Sequence, residues 1–387
     1  MWRNIASNAL NLFIVVLVLM SGLLTMGRQM YDGPGPLVQP VCFKVERGAT
    51  LSVVSQGLLQ QGAIQDARIF RIGANYSGQS AKLKFGSYLV DAGASMRDVL
   101  AQLTGGGQST CGEEVNFVIG VASSQVVLQK LDPASNRYVE VVKFDPAVDA
   151  VPAEYLAAAT APDLRWRVTL AEGVTSYNVV EALKRADFLA GDIAAVPLEG
   201  VLAPQSYDVD KGSARADLLT QMADRQTATL AELWAGRAAG LPYKTPQEAL
   251  IMASIVEKET GVASERKLVA AVFLNRLAQG IKLQTDPTVI YGVTKGKGIL
   301  GRGLRQSELR RETPWNTYVI DGLPATPIAN PGRLSIEAAL NPQSTDYLFF
   351  VADGTGGHAF AATLEEHNKN VAVWRAIEAA NPSPSGN

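Results

Sequence analysis

Apolar and polar positions divide the chain into stretches of different period. Residues 4–27 carry no charge, and residues 10–26 are mostly Leu, Ile, Val, Phe and Met. At about 1.5 Å per residue such a run can cross a bilayer as one helix. A cleaved signal peptide needs a small-residue cleavage site, which Thr25-Met26-Gly27-Arg28 lacks, so the run is expected to stay as an anchor. Arg3 and the terminal amine before it, against Arg28 after it, favour a cytoplasmic N-terminus only weakly. Gly33-Pro34-Gly35-Pro36 reads as a short stiff linker. Val41–Val45 then alternates like a strand, Leu51–Gln60 and residues 64–72 have helical periodicity, and residues 85–90 are strand-like. Ser95, with Asp98 at N3, starts a further helix, and Gly105-Gly106-Gly107 closes this βααβ unit. Alternation over residues 114–121, 125–131 and 138–144 predicts three strands, followed by an Ala/Pro-rich connection at 150–162. A strand and turn at 167–173 and a helix from Ser176 open the remainder.

The chemistry concentrates in residues 250–261, an apolar helical pattern that ends in two glutamates. Met252, Ile255, Val256 and Glu259 fall at i, i+3, i+4 and i+7, on one face, while Glu257 falls on another. A carboxylate in apolar surroundings is harder to ionise and can act as a general acid near neutral pH. The plainer reading is a helix that turns polar before a Gly261 C-cap, with Glu259 half exposed.

Composition narrows the alternatives. Lys and Arg number 35 against 37 Asp and Glu, a net charge of -2, so nucleic acid is not an expected partner. Two histidines and two cysteines do not make a zinc site of ordinary ligand count, and no P-loop or dinucleotide glycine motif occurs. No metal or cofactor is expected. Cys42 and Cys111 bracket the βααβ unit and could pair in an oxidising compartment, a bridge worth on the order of 4 kcal/mol; two free thiols are the alternative.

Around the glutamate helix stand Leu283-Gln284-Thr285-Asp286-Pro287, Trp315-Asn316-Thr317-Tyr318, Ile328-Ala329-Asn330-Pro331-Gly332 and a stretch from Phe349 to Phe360 that contains His358. In order and spacing from Arg167 to Trp374, and more loosely before Gly107, the chain resembles the MltG (YceG-like) family of membrane-anchored endolytic murein transglycosylases. The resemblance implies an α+β chain: a transmembrane anchor (1–30), a linker and LysM-like βααβ domain (31–109), a β-rich insertion (110–165), a mixed α/β lytic transglycosylase domain (166–380) and a tail (381–387). It implies Glu259 as the catalytic residue, acid first and base afterwards. Glu199, Gln284, Thr285, Asp286 and Asn316 would contact substrate.

Rival structural roles stand beside these: a satisfied turn carboxylate for Glu199, an N-cap for Asp286 with Pro287 at N1, and turn formation for Asn316. Gln205 and Ser206 stand where the family usually has an acidic residue and a threonine, which leaves those positions in doubt. Thr363 and Glu366 form a capping box, so His367 reads as structural. The implied partners are peptidoglycan strands and the cytoplasmic membrane, with peptidoglycan synthases as further candidates, and the catalytic domain would lie in the periplasm. A muramidase with Asp286 as second carboxylate, or a non-catalytic glycan-binding scaffold, remains the alternative.

Overall fold

A computed structural model describes residues 2–105 and 109–380, with side chains from residue 10. Gly106, Gly107 and the 381–387 tail lie outside the described residues. The chain is a mixed α+β structure with an apolar N-terminal helix, and it divides into two compact units. The first unit takes in Met1–Val115, Val127–Lys143 and Val151–Arg165; the second takes in Asn116–Val126, Phe144–Ala150 and Trp166–Asn387.

Helix α1 (Trp2–Asp32) opens the first unit. Among the described residues Leu10–Asp32 is the helical stretch long and apolar enough to cross a membrane. Its large apolar side chains from Leu10 to Met26 are exposed, Leu23 to 72 %, the pattern of a surface meant for lipid or another partner. The stretch from Tyr31 through the expected linker is tied to the rest of the first unit. Tyr31 packs under α3 at Gly73, where a Cβ would stand 2.2 Å from the ring. The Arg97 Nε donates to Asp32 Oδ1 at 2.8 Å, and the Gly35 N–H donates to the Gly93 carbonyl at 3.0 Å. Three sequence-distant contacts therefore hold the segment, which periodicity cannot reveal.

Beyond it, β1 (Val41–Val45), α2 (Leu51–Gln60), α3 (Ala67–Tyr76), β2 (Gly86–Val90) and α4 (Met96–Thr104) follow the expected order. β1 and β2 pair antiparallel from Val41 opposite Val90 to Val45 opposite Gly86. Each helix starts at a polar cap: Thr50 accepts from Val53 N–H, Asp66 from Arg68 and Ile69 N–H, and Ser95 forms a capping box with Asp98. Asp66 sets the start of α3 later than the apolar run from Ile64 suggested. Phe43, Leu58, Phe70, Val90 and Leu103 fill the core. Cys42 and Cys111 are disulfide-bonded, with Cα atoms 5.9 Å apart.

The three strands expected between 110 and 165 are present as β3 (Glu113–Ile119), β4 (Ser124–Asp132) and β5 (Arg137–Phe144), followed by the short α5 (Ala153–Ala158). They are not a free-standing sheet. With β6 (Arg165–Leu170) and β7 (Ser206–Val209) they form one five-stranded sheet of order β5-β4-β3-β6-β7, so β3 and β4 have neighbours on both sides and only β5 and β7 are left as edges. β6 and β7 pair antiparallel from Trp166 opposite Val209 to Thr169 opposite Ser206.

The second unit is otherwise helical: α6 (Ser176–Arg185), α7 (Arg215–Ala235), α8 (Pro246–Glu259), a 3₁₀ turn at Ala263–Glu265, α9 (Arg266–Ala278), α10 (Asp286–Thr294), α11 (Gln306–Arg310), α12 (Arg333–Leu340) and α13 (Leu364–Ala380). A small hairpin, β8 (Phe349–Ala352) with β9 (His358–Ala361), precedes α13. Its core gathers Met252, Ile255 and Val256 of α8, Val269 and Phe273 of α9 and Ile336 and Leu340 of α12. The Thr363–Glu366 box starts α13, and His367 stacks on Phe349 at 5.1 Å.

Candidate active site

Helix α8 carries the candidate acid. Thr245 caps it, accepting from the Glu248 N–H at 3.3 Å, and Pro246 sits at the first position where no N–H is needed. Residues 252–256 are buried all round, including Ala253 and Ser254 at 0 % exposure. The helix is therefore a core helix rather than an amphipathic one, and the single-face placement of Glu259 does not separate it from Glu257. The C-cap is also corrected: Thr260, in extended conformation, ends the helix, and Gly261 adopts no left-handed turn.

Glu259 is partly buried, and its carboxyl accepts a short hydrogen bond from the Thr285 hydroxyl. Thr285 is held in turn by a buried threonine cluster. Its N–H donates to Thr317 Oγ1 at 3.1 Å, Thr317 and Thr288 share a hydroxyl contact at 2.8 Å, and the Thr288 hydroxyl donates to the Thr285 carbonyl at 2.7 Å. Burial pushes the Glu259 carboxyl above the ordinary carboxylate range. The Thr285 bond opposes this, nearby Asp286 adds to it, and the charges of His358 and Arg276 oppose it. No cation lies within ion-pair distance of Glu259 among the described residues.

Arg276 is engaged elsewhere, donating to the carbonyls of Leu348 and Leu283 at 2.7 Å each. His358 was left without a role by the sequence. Its Nδ1 meets Glu265 Oε2 at 2.8 Å, its N–H donates to Glu265 Oε1 at 2.9 Å, and the Thr260 hydroxyl reaches Glu265 Oε2 at 3.5 Å.

Helix α10 joins this site to a second carboxylate. Thr285, not Asp286, is its N-cap residue, and Asp286 and Pro287 occupy its first turn. Asp286 is exposed and accepts from the Tyr318 hydroxyl at 2.7 Å; Gln284 is exposed and left-handed, φ 52°. Further along α10, the Tyr291 hydroxyl donates to Glu199 Oε2 at 3.1 Å, and the Ser176 N–H donates to Glu199 Oε1 at 2.8 Å. Burial raises the Glu199 carboxyl as well, against those two bonds. Tyr291 lies 5.7 Å from Trp315, ring centre to ring centre.

Asn316 lies inside the turn that follows α11. It is 1 % exposed, its amide donates to the carbonyls of Glu308, Leu309 and Arg311, and its Oδ1 accepts from the Tyr318 N–H. Its polar groups are consumed in closing α11 and shaping the turn, the rival role. The sequence also missed Tyr318, Tyr291 and the partners of Thr285, because hydroxyl side chains carry no periodic signal. Among the described residues no cluster of three or more His, Cys, Asp or Glu could hold a metal ion.

Residues 43–373 match the YceG-like family. Over 333 residues the chain is 28 % identical to the endolytic murein transglycosylase of Bacillus subtilis, covering 85 % of this chain and 83 % of the relative. It is 26 % identical over 343 residues to the endolytic murein transglycosylase of Streptococcus pneumoniae serotype 2, covering 86 % of this chain and 58 % of that longer relative. A crystal structure of a yceG-like protein from Listeria monocytogenes covers 86 % of this chain at 23 % identity and a TM-score of 0.46. The matched span takes in most of the first unit's β1–β2 pair and every residue of the Glu259 and Glu199 neighbourhoods, and the chain belongs to the YceG-like family.

Proposed function

We propose that this chain is a membrane-anchored endolytic murein transglycosylase that cleaves within glycan strands between N-acetylmuramic acid and N-acetylglucosamine, with Glu259 as its acid and base. The observation that carries the reading is the state of Glu259: a desolvated carboxyl with a hydroxyl partner and no ion pair among the described residues, which favours the protonated form an acid needs. The relatives named endolytic murein transglycosylase supply the reaction class. In the proposed sequence the Glu259 proton passes to the glycosidic oxygen, the bond from that oxygen to the muramyl C1 breaks, and an oxocarbenium-like centre forms. The resulting carboxylate accepts the proton of the muramyl C6 hydroxyl, whose oxygen bonds to C1 and closes a 1,6-anhydro ring. No water is consumed.

In this reading Thr285 steadies the carboxylate between the two steps. Gln284 and Asp286, exposed beside it, and Glu199, across α10, contact the sugars. The apolar part of α1 spans the cytoplasmic membrane, with both units on the periplasmic side, and the first unit's βααβ arrangement is a LysM-like domain available to glycan. The domain limits follow the sequence reading: anchor to about residue 30, LysM-like unit to 109, β-rich strands to 165 and the catalytic part to 380. Peptidoglycan synthases are candidate neighbours.

Mass spectrometry of products from isolated glycan strands tests the proposal. Anhydro-muramyl ends support it. Free reducing ends would make the chain a muramidase, a reading favoured only by the nearness of the Asp286 charge to Glu259. Strands retained uncut by wild type and Glu259→Gln alike would make it a scaffold.

A further inference from the structure

From residue 295 to residue 311 the chain carries Lys295, Lys297, Arg302, Arg305, Arg310 and Arg311 against one carboxylate, Glu308, with Glu312 following, in a protein of net charge -2. Arg302 pairs with Glu308 at 2.6 Å, and the Arg305 N–H donates to the same carboxylate at 2.8 Å. Lys295, Lys297, Arg310 and Arg311 are exposed and have no carboxylate within ion-pair distance among the described residues. A run of like charge is most often a solvated face. Three observations set this one apart.

The first is backbone geometry. Only three non-glycine residues among those described have positive φ, and two of them, Gln284 (52°) and Lys295 (53°), bracket α10. Such strain persists only where the surroundings fix it. Here they do: the Gly296 carbonyl accepts from the Thr175 hydroxyl at 2.6 Å, and a Cβ on Gly296 would stand 3.3 Å from Glu199 Oε2. The backbone between the two lysines is thus seated on the wall that carries Glu199.

The second is placement on aromatic faces. Lys295 Nζ stands 3.6 Å from the ring centre of Trp315, and Lys297 Nζ stands 5.4 Å from that of Tyr177. Desolvation and the Arg311 charge both disfavour the Lys295 ammonium, so an arriving anion would relieve it. The third is distance. Helix α10 has nine residues, about 13 Å at the α-helical rise, and runs from the Thr285–Glu259 bond to Lys295.

We propose that Lys295, Lys297, Arg310 and Arg311 form a cationic rim of the cleft that binds the free carboxylates of the peptide stems carried by muramyl residues, so that the enzyme prefers stem-bearing strands to bare ones. The rim rests on the reading of the cleft as one for muramyl glycan. An anionic lipid surface would answer the same charges. The stem is favoured because Lys295 and Lys297 follow directly on the helix whose other end meets Glu259, within reach of a substituent on a sugar bound there.

The test uses full-length protein in neutral-lipid vesicles, with uncross-linked strands either intact or stripped of stems by an amidase. Wild type should show a higher kcat/KM for stem-bearing strands, and added salt should shrink the difference. Lys295→Gln/Lys297→Gln should lower the stem-bearing to bare ratio by roughly 3- to 10-fold, through KM. A wild type without preference, or an unchanged ratio in the double variant, overturns the proposal. So does a loss that occurs only when phosphatidylglycerol is added to the vesicles, which would mark a lipid contact. Strand retention by Glu259→Gln protein reads the rim without turnover. A stem preference that depends on the two lysines, in a protein whose wild type yields no anhydro product, would keep the rim and sink the assigned reaction instead.

Discussion

Glu257 and Glu259 stand two residues apart in the last turn of α8, both shielded from water, in opposite electrostatic surroundings. Around Glu257, a side chain only 6 % exposed, the negative charge is answered: Arg266 lies 3.8 Å away and the Gly332 N–H donates at 2.9 Å. Lys258 is near enough for the Glu257 charge to act on it. The region is built to hold an ion. A Cβ on Gly332 would fall 1.8 Å from Glu172 Oε1, the other carboxylate of the Arg266 cluster, so a larger residue there would displace Glu172. Around Glu259 there is one hydroxyl donor and no bonded cation, and the negative end of the α8 dipole further disfavours ionisation. Burial alone does not make an acid; burial without compensation does.

The largest expected effect removes the proton that this contrast protects. Glu259→Gln should lower release of anhydro-muramyl product by about 10²–10⁴-fold or more, because one residue serves both proton transfers. Turnover by Glu259→Gln alongside a dead Glu257→Gln would reverse the comparison. Glu257→Gln should instead keep most activity and lose stability, by about 1–3 kcal/mol in chemical or thermal unfolding, since it leaves Arg266 to Glu172 alone. An unchanged melt would mean that the Arg266 cluster holds no net stability.

A smaller effect concerns Glu259 and pH. Its carboxyl is raised in the folded chain, so between the ordinary carboxylate value and the folded one the native state binds more protons than the unfolded state. Stability then falls as pH rises through that window. Glu259→Gln removes the penalty, and its melting temperature should exceed that of wild type at neutral pH and converge with it in acid. A constant gap across pH would deny that Glu259 is raised. The smallest effect is a displacement of the pH–rate profile. Thr285→Val deletes the bond that favours the carboxylate, so the limb on which the acid loses its proton should move to higher pH, with lower maximal activity. A limb that stays in place would remove Thr285 from the control of Glu259.

Much of this contrast was legible in the residues, though for uneven reasons. The α8 pattern pointed to Glu259, and β1, α2, β2 and α4 followed from alternation and caps such as Ser95 with Asp98. The facial argument that separated the glutamates was lost because α12 and α9 cover sides of α8 that an amphipathic helix leaves to water. Asn316 was ambiguous in sequence because an amide suited to an N-acetyl group is equally suited to three backbone carbonyls, which it bonds here. The partners of Glu257 and Glu259 come from Gly332 and Thr285, distant in sequence, and nothing in a helical period encodes them. The juxtamembrane clamp escaped notice for the same reason: Tyr31 needs the gap at Gly73.

That clamp changes what sort of attachment α1 provides. A glycine- and proline-rich leash would let the first unit wander over a hemisphere of wall and tumble as it went. A helix that runs unbroken to Asp32 and is bolted there by Arg97 would, as the membrane span proposed above, act as a post whose head is part of the first unit. Rotation or tilt of such a post would be rotation or tilt of that unit, and the unit's height above a bilayer would be set by covalent geometry. A glycan strand would then meet it within a narrow layer, at a distance measured from the membrane rather than found by diffusion.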